Sequence, residues 1–294
     1  MKSINKSVAI IMLAFAIGHV PAHAQLGILN GLINKGKELV SKKSSNSRSS
    51  TSNSRSSTRR TTSTPVRSIV NDDVVKREVD SKYKNIVRTC NEDGEWTVTI
   101  TGTLPYTGME NGHPYVDMGF DVKWAAVNVG ATEPEGRGDY FAYGEADTKR
   151  MYTRQNCSTY EQKIYQSHVI ENPKRDAVRK HWGGKWRLPT SQDVYWLKLK
   201  AKWETATMNG VHGYLVTSKK NGNAIFLPAW GWAKPGWNKE KVDNEDWGFY
   251  YWTATEMSLD DINMALAMAA PGALNGGTET RDTGLQVRGV FGPY

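Results

Sequence analysis

Hydrophobic and polar positions divide this chain into stretches of different period. An apolar run from Val8 to Ile17 follows Lys2 and Lys6 and leads into Ala22-His23-Ala24, the arrangement of a signal peptide whose cleavage leaves Gln25 first. The run is shorter than the roughly 20 residues a spanning helix needs, so residues 1–24 are expected to direct export rather than to anchor the chain. From Leu26 to Val40 the residues Ile28, Leu29, Leu32, Ile33, Leu39 and Val40 recur at spacings near three and four. That period predicts a short amphipathic helix over 25–42, weakened by Gly27, Gly31 and Gly36. Residues 43–66 are almost wholly Ser, Thr, Arg, Lys and Asn. They hold too little apolar surface to offset the entropy of ordering and read as a disordered linker.

Alternation takes over at residue 86. Ile86, Val87 and Cys90 precede Asn91-Glu92-Asp93-Gly94, and Trp96, Val98 and Ile100 follow it, which predicts a β-hairpin. Residues 67–110 thus read as a lead-in to a main domain over 111–294. There the pattern predicts helices over 173–182 and 191–203, then strands over 213–218, 223–228, 249–255, 263–269 and 285–291. Lys220-Asn221-Gly222 forms the turn between the first two of these strands. The expected fold class is α+β, with two short helices early and an antiparallel sheet late. The helices meet at Trp182-Gly183-Gly184-Lys185-Trp186-Arg187-Leu188-Pro189-Thr190. The glycines suit a left-handed close of the first helix, and Thr190 with Asp193 suits a capped start for the second. Trp182, Trp186 and Leu188 are expected to pack this corner, with Arg187 holding a neighbouring carbonyl or carboxylate.

Charge changes the picture because it is unevenly placed. The chain carries a formal +8; the signal segment holds +2 and residues 25–67 another +8, which leaves residues 68–294 at about −2. The basic character belongs to the tail, so the folded part has no electrostatic footprint of a nucleic-acid groove. The tail itself suits contact with anionic surfaces.

Several strings then carry a resemblance. Tyr115-Val116-Asp117-Met118-Gly119, Lys123-Trp124-Ala125, Asn128-Val129-Gly130-Ala131 and Gly138-Asp139-Tyr140-Phe141-Ala142-Tyr143-Gly144-Glu145 are followed, in order, by the Trp182–Thr190 string, Asn209-Gly210-Val211-His212-Gly213-Tyr214, Ile225-Phe226-Leu227-Pro228-Ala229, Gly248-Phe249-Tyr250-Tyr251-Trp252-Thr253 and Val287-Arg288-Gly289-Val290. Over roughly 111–292 the chain resembles the Fibrobacter succinogenes major paralogous domain family, secreted or surface proteins of Bacteroidetes and related bacteria. The resemblance implies a C-type lectin-like fold in which the first and last strands lie together and long loops present a binding surface, without established catalysis. Relatives often carry cysteines where this chain has Val127 and Ala201.

Candidate chemistry is sparse. His113, His168, His181 and His212 each lack a His or Cys partner three or four residues away, so no metal-ligand spacing is present. Formylglycine-generating enzymes share the C-type lectin-like fold but need closely placed reactive cysteines, whereas Cys90 and Cys157 lie far apart in sequence. In an exported chain those two are candidates for one disulfide. Asp139 with Glu145 as a sugar-cleaving pair, and Asp243-Asn244-Glu245-Asp246 as a cation site, read more simply as scaffold and solvated turn. No catalytic residue, metal or cofactor is therefore expected. Between Ala229 and Trp252 the chain holds Trp230, Trp232, Trp237, Trp247 and Tyr250 as candidate ligand contacts, Trp232 and Trp237 foremost, with Phe249, Tyr251 and Trp252 assigned to the core. The expected function is a secreted, non-catalytic binding module for a glycan or surface protein. A structural component of a surface assembly, docked by the 25–42 helix, is the alternative, and an enzyme of the formylglycine-generating type a remote third. Periplasm, cell surface and medium are all open as destinations.

Overall fold

A computed structural model describes residues 74–162, 169–233, 249–257, 264–269 and 277–293. The expected signal peptide, amphipathic helix and linker lie outside the described residues. In chain order the elements are β1 (Val74–Val79), β2 (Ile86–Asn91), β3 (Trp96–Ile100), β4 (Gly108–Glu110), β5 (His113–Val116), β6 (Lys123–Ala125), a 3-10 turn (Arg154–Asn156), α1 (Ala177–Trp182), α2 (Ser191–Lys200), β7 (Ala201–Met208), β8 (Val211–Ser218), β9 (Ala224–Pro228), β10 (Tyr250–Glu256), β11 (Met264–Ala269), β12 (Gly277–Thr280) and β13 (Val290–Phe291). The fold is α+β, mostly sheet with two helices. One expectation is corrected: besides the expected hairpin, strands β5 and β6 within 111–294 also precede the helices.

The strands form three sheets, in the orders β1-β2-β3-β7-β8-β9, β10-β11-β12 and β13-β6-β5-β4. The expected hairpin is β2–β3, turning through Gly94 at φ 81°. It is more than a lead-in. β3 pairs in parallel with β7, Val98 opposite Ala206 and Ile100 opposite Met208, so the hairpin extends the sheet of the main domain. Ile86, Val98, Ile100, Met208, Leu215 and Phe226 close one shared core beneath it. Arg88 on β2 reaches across β3 and grips Glu204 on β7 with two bonds of 2.8 Å, while its third nitrogen donates to Asp80 at 2.8 Å. Ile69–Tyr294 accordingly form one compact unit, and no boundary near residue 110 divides the sheets.

Element ends depart from the sequence expectation for local reasons. The first helix begins at Ala177 rather than 173, because the buried Asp176 caps it by accepting from the Arg179 amide at 3.0 Å. The second stops at Lys200 rather than 203, and Ala201 enters β7, which pairs with β8 over eight residues. The tight turn between β7 and β8 is Asn209-Gly210, both at positive φ, 49° and 87°, the strongest short hairpin signal a sequence carries. Lys220-Asn221-Gly222 turns β8 into β9 as expected, with Gly222 at φ 71°.

The 285–291 stretch is the largest correction. Only Val290 and Phe291 form a strand, paired with β6. Upstream, Leu285 bridges Phe141, Gln286 bridges Tyr251, Val287 accepts from the Val129 amide and Gly289 from the Ala125 amide. The segment is buried throughout, and its backbone bonds go to several segments in turn, so no single neighbour defines a long strand.

The Trp182–Thr190 corner sits in the main core. Trp182 and Trp186 meet edge-on at 5.0 Å, His113 stacks on Trp182 at 4.5 Å, and the Trp186 indole donates to the Glu110 carbonyl at 2.8 Å. Gly183 closes α1 at φ 61°, ψ −152°. That combination is open essentially to glycine alone, and differs from the left-handed helical close expected. Thr190 and Asp193 form the expected capping box. Arg187, buried, donates to the Asp193 carboxylate at 2.8 Å and to the carbonyls of Leu188 and Pro293 at 3.1 and 2.8 Å.

Candidate functional site

The aromatic candidates divide by what fastens them. Trp230 follows β9, where the Ala229 amide donates to the His212 carbonyl at 2.9 Å. Its indole donates to the Glu135 carbonyl at 2.8 Å, and its own carbonyl accepts from the Tyr140 hydroxyl at 2.7 Å. Trp230 therefore clasps the 130–140 loop and stays half-buried. Trp232 lies two residues on. Its ring meets Tyr250 edge-on at 4.8 Å, both rings lying half-buried on the rim of the main core. Next to it Ala233 exchanges two backbone bonds, 2.9 and 2.8 Å, with Gly284. A Cβ on Gly284 would stand 2.8 Å from the Tyr152 ring, so glycine is needed for this approach.

Phe249, Tyr251 and Trp252 are buried as expected, Tyr251 donating to the Pro228 carbonyl at 2.9 Å and Trp252 to the Phe141 carbonyl at 2.8 Å. Trp237, Trp247 and the acidic run 243–246 lie outside the described residues. The structure brings Trp232 and Tyr250 together and places Trp230 beside Glu135 and Tyr140.

Other candidates have structural work. Glu145 accepts from the Ser158 amide at 2.6 Å and pairs with Lys149, which makes it a loop tie. His181 bonds the Ala146 carbonyl at 3.0 Å through Nε2, and His212 bonds the Thr207 hydroxyl at 3.2 Å through Nδ1. Burial against Trp182 pushes the His113 imidazole below its usual value. His168 lies outside the described residues. Among the described residues no three His, Cys, Asp or Glu side chains gather as metal ligands, and no helix is long and apolar enough to cross a membrane.

The cysteine pair is corrected. Both are buried free thiols. Cys90 lies in β2, opposite Trp96 and Lys76, whereas Cys157 follows the 3-10 turn, with its sulfur 3.4 Å from the Thr159 hydroxyl and 3.5 Å from the Arg281 carbonyl. Cys157 packs with Tyr140, Tyr152 and Ala233, an environment that Cys90 does not share.

Compared with protein-family models, curated proteins and solved structures, the chain has no match. What the site can do rests on its own geometry. Sequence reasoning found the aromatics but not what anchors them: Glu135, Tyr140 and Gly284. Glu135 and Gly284 act through backbone groups, which no side-chain pattern reports, and the Tyr140 hydroxyl meets a carbonyl 90 residues away.

Proposed function

We propose that this chain is an exported, non-catalytic binding module of the C-type lectin-like kind, similar to the Fibrobacter succinogenes major paralogous domain family. In this reading it engages a surface glycan or protein through the aromatics between 230 and 250. One observation carries the reading. Trp230, Trp232 and Tyr250 stay half-exposed while fixed bonds and edge-on packing hold them, so a ligand meets rings whose ordering cost is already met by folding. The pairing of β13 with β6, which returns the chain end to the strands at 113–125, supports the fold assignment.

The test is Trp232→Ala with Trp237→Ala in the full chain, read by glycan-array and cell-surface binding. Loss of binding by about tenfold or more, the usual scale for truncating a central aromatic anchor, is expected with the melting curve retained. Unchanged binding to every ligand the wild type recognises would remove the assignment of these aromatics.

A further inference from the structure

Helix α2 presents the wrong residues to solvent for a helix that serves packing alone. Val194, Leu197 and Lys198 face inward, while Tyr195, Trp196 and Leu199 are 42%, 37% and 51% exposed. A surface helix normally turns its charged residues outward and its apolar ones in, and here a lysine and a tryptophan have changed places. The outward side borders a groove. It consists of two adjoining hollows of about 150 and 370 Å³ that share Phe120, Asp121 and Lys200. Trp196 and Gln192 line one of them, Lys219 and Lys220 the other.

The charges in this groove are arranged, not scattered. The Lys200 ammonium lies 4.3 Å from the centre of the Trp196 ring and 5.8 Å from that of Phe120, a cation held by aromatic faces instead of by a carboxylate. Lys219 donates to the Leu199 carbonyl at 3.0 Å, which also serves the end of α2. Neither Lys200, Lys219 nor Lys220 forms an ion pair among the described residues. Asp193, which lines the groove, is paired with Arg187 at 2.8 Å, and Asp117 beside it is paired with Lys123 at 2.7 Å and also feels the Lys220 charge. Three lysines against Asp121 leave a positive groove on a portion of chain, residues 68–294, whose own net charge is about −2.

We propose that this groove binds an acidic polysaccharide, a pyranose ring lying against Trp196 with its carboxylate or sulfate among Lys200, Lys219 and Lys220. Gln192 and Asp121 supply the amide and carboxylate that hydrogen-bond ring hydroxyls. The aromatic wall favours a sugar over a bare anion, which needs no such wall. Of the aromatics proposed above, the described ones, Trp230, Trp232 and Tyr250, do not line this groove. Failure of either proposal leaves the other standing.

The experiment measures binding of the full chain to immobilised polygalacturonate and to its fully methyl-esterified form at about 0.15 M salt, with dextran sulfate and phosphatidylglycerol vesicles as further arms. Trp196→Ala and the double variant K200Q/K220Q are compared with wild type; Lys219 is left in place because of its bond to α2. The expected result is binding to polygalacturonate or dextran sulfate that falls about tenfold or more in each variant, the scale of one or two charge-assisted contacts, with no binding to the ester. Since the basic tail is common to all three proteins, equal binding by wild type and variants means that the tail does the work and overturns the proposal. A wild type that binds neither acidic polymer overturns it too, as does a variant defect confined to the lipid vesicles. The lysine pair is exposed or half-exposed at the surface, so K200Q/K220Q with an unchanged melting curve keeps the result interpretable should Trp196→Ala fold poorly.

Discussion

Arg88 shows how much one residue can hold in this fold. Burial alone would raise the Glu204 carboxyl, but the Arg88 guanidinium and the Lys202 ammonium outweigh it and hold that carboxyl below its ordinary value of 4.5. The same opposition at Asp80, with burial raising and the Tyr83 amide and Arg88 lowering, leaves it below 3.8. A carboxylate whose folded value lies below its unfolded one contributes stability above the unfolded value, and that stability is lost as pH falls through the folded value. The tie between β2 and β7 is therefore expected to weaken from about pH 4.5 downward. Arg88→Met should lower stability at pH 7 by about 1.5–3 kcal/mol and flatten the acid loss. Urea melts at pH 7 and pH 3.5 check this, and parallel acid losses in both proteins would refute it. Nothing in the local pattern Ile86–Asn91 announces this role, because Glu204 lies 116 residues away.

At the scale of elements, the sequence was most legible where a boundary is made by its own residues. The Thr190–Asp193 capping box, the glycine turns at 94 and 222 and the contacts of Arg187 all stood in short strings, and the structure contains them. It was least legible where an element is defined by its neighbours. The expected second helix runs to residue 203, yet from Ala201 the chain is β7, because β8 offers eight residues of pairing and β3 a parallel edge. Residues 285–291 alternate like a strand but thread through the core instead. Gly289 marks the tightest point of that thread: a Cβ there would stand 2.7 Å from the Trp182 ring, 2.8 Å from Val178 and 3.0 Å from Trp186. Both rings are buried and mutually packed, so Gly289→Ala should cost about 1–3 kcal/mol. A lowered thermal midpoint with altered tryptophan near-UV dichroism is the expected reading, and an unchanged midpoint would show that the corner can yield.

For the whole molecule, the decisive fact is that residues 74–100 belong to the main sheet. A chain starting at residue 105 would expose the β7 edge and uncover Met208, Leu215 and Phe226. It is expected to lose cooperative unfolding or to aggregate, whereas a chain starting at residue 69 should keep a single transition; calorimetry on both checks this. The signal-peptide pattern, the uneven charge, the α+β class and the aromatic run at 230–252 are all readable in the sequence, because composition and short period carry them. The joining of the hairpin to the main sheet, the separation of Cys90 from Cys157, the anchoring of Trp230 by Glu135 and the placing of Lys200, Lys219 and Lys220 along one groove with Trp196 were decided only by tertiary structure. Each depends on residues far apart in the chain meeting through backbone bonds and packing, and no local pattern encodes such meetings.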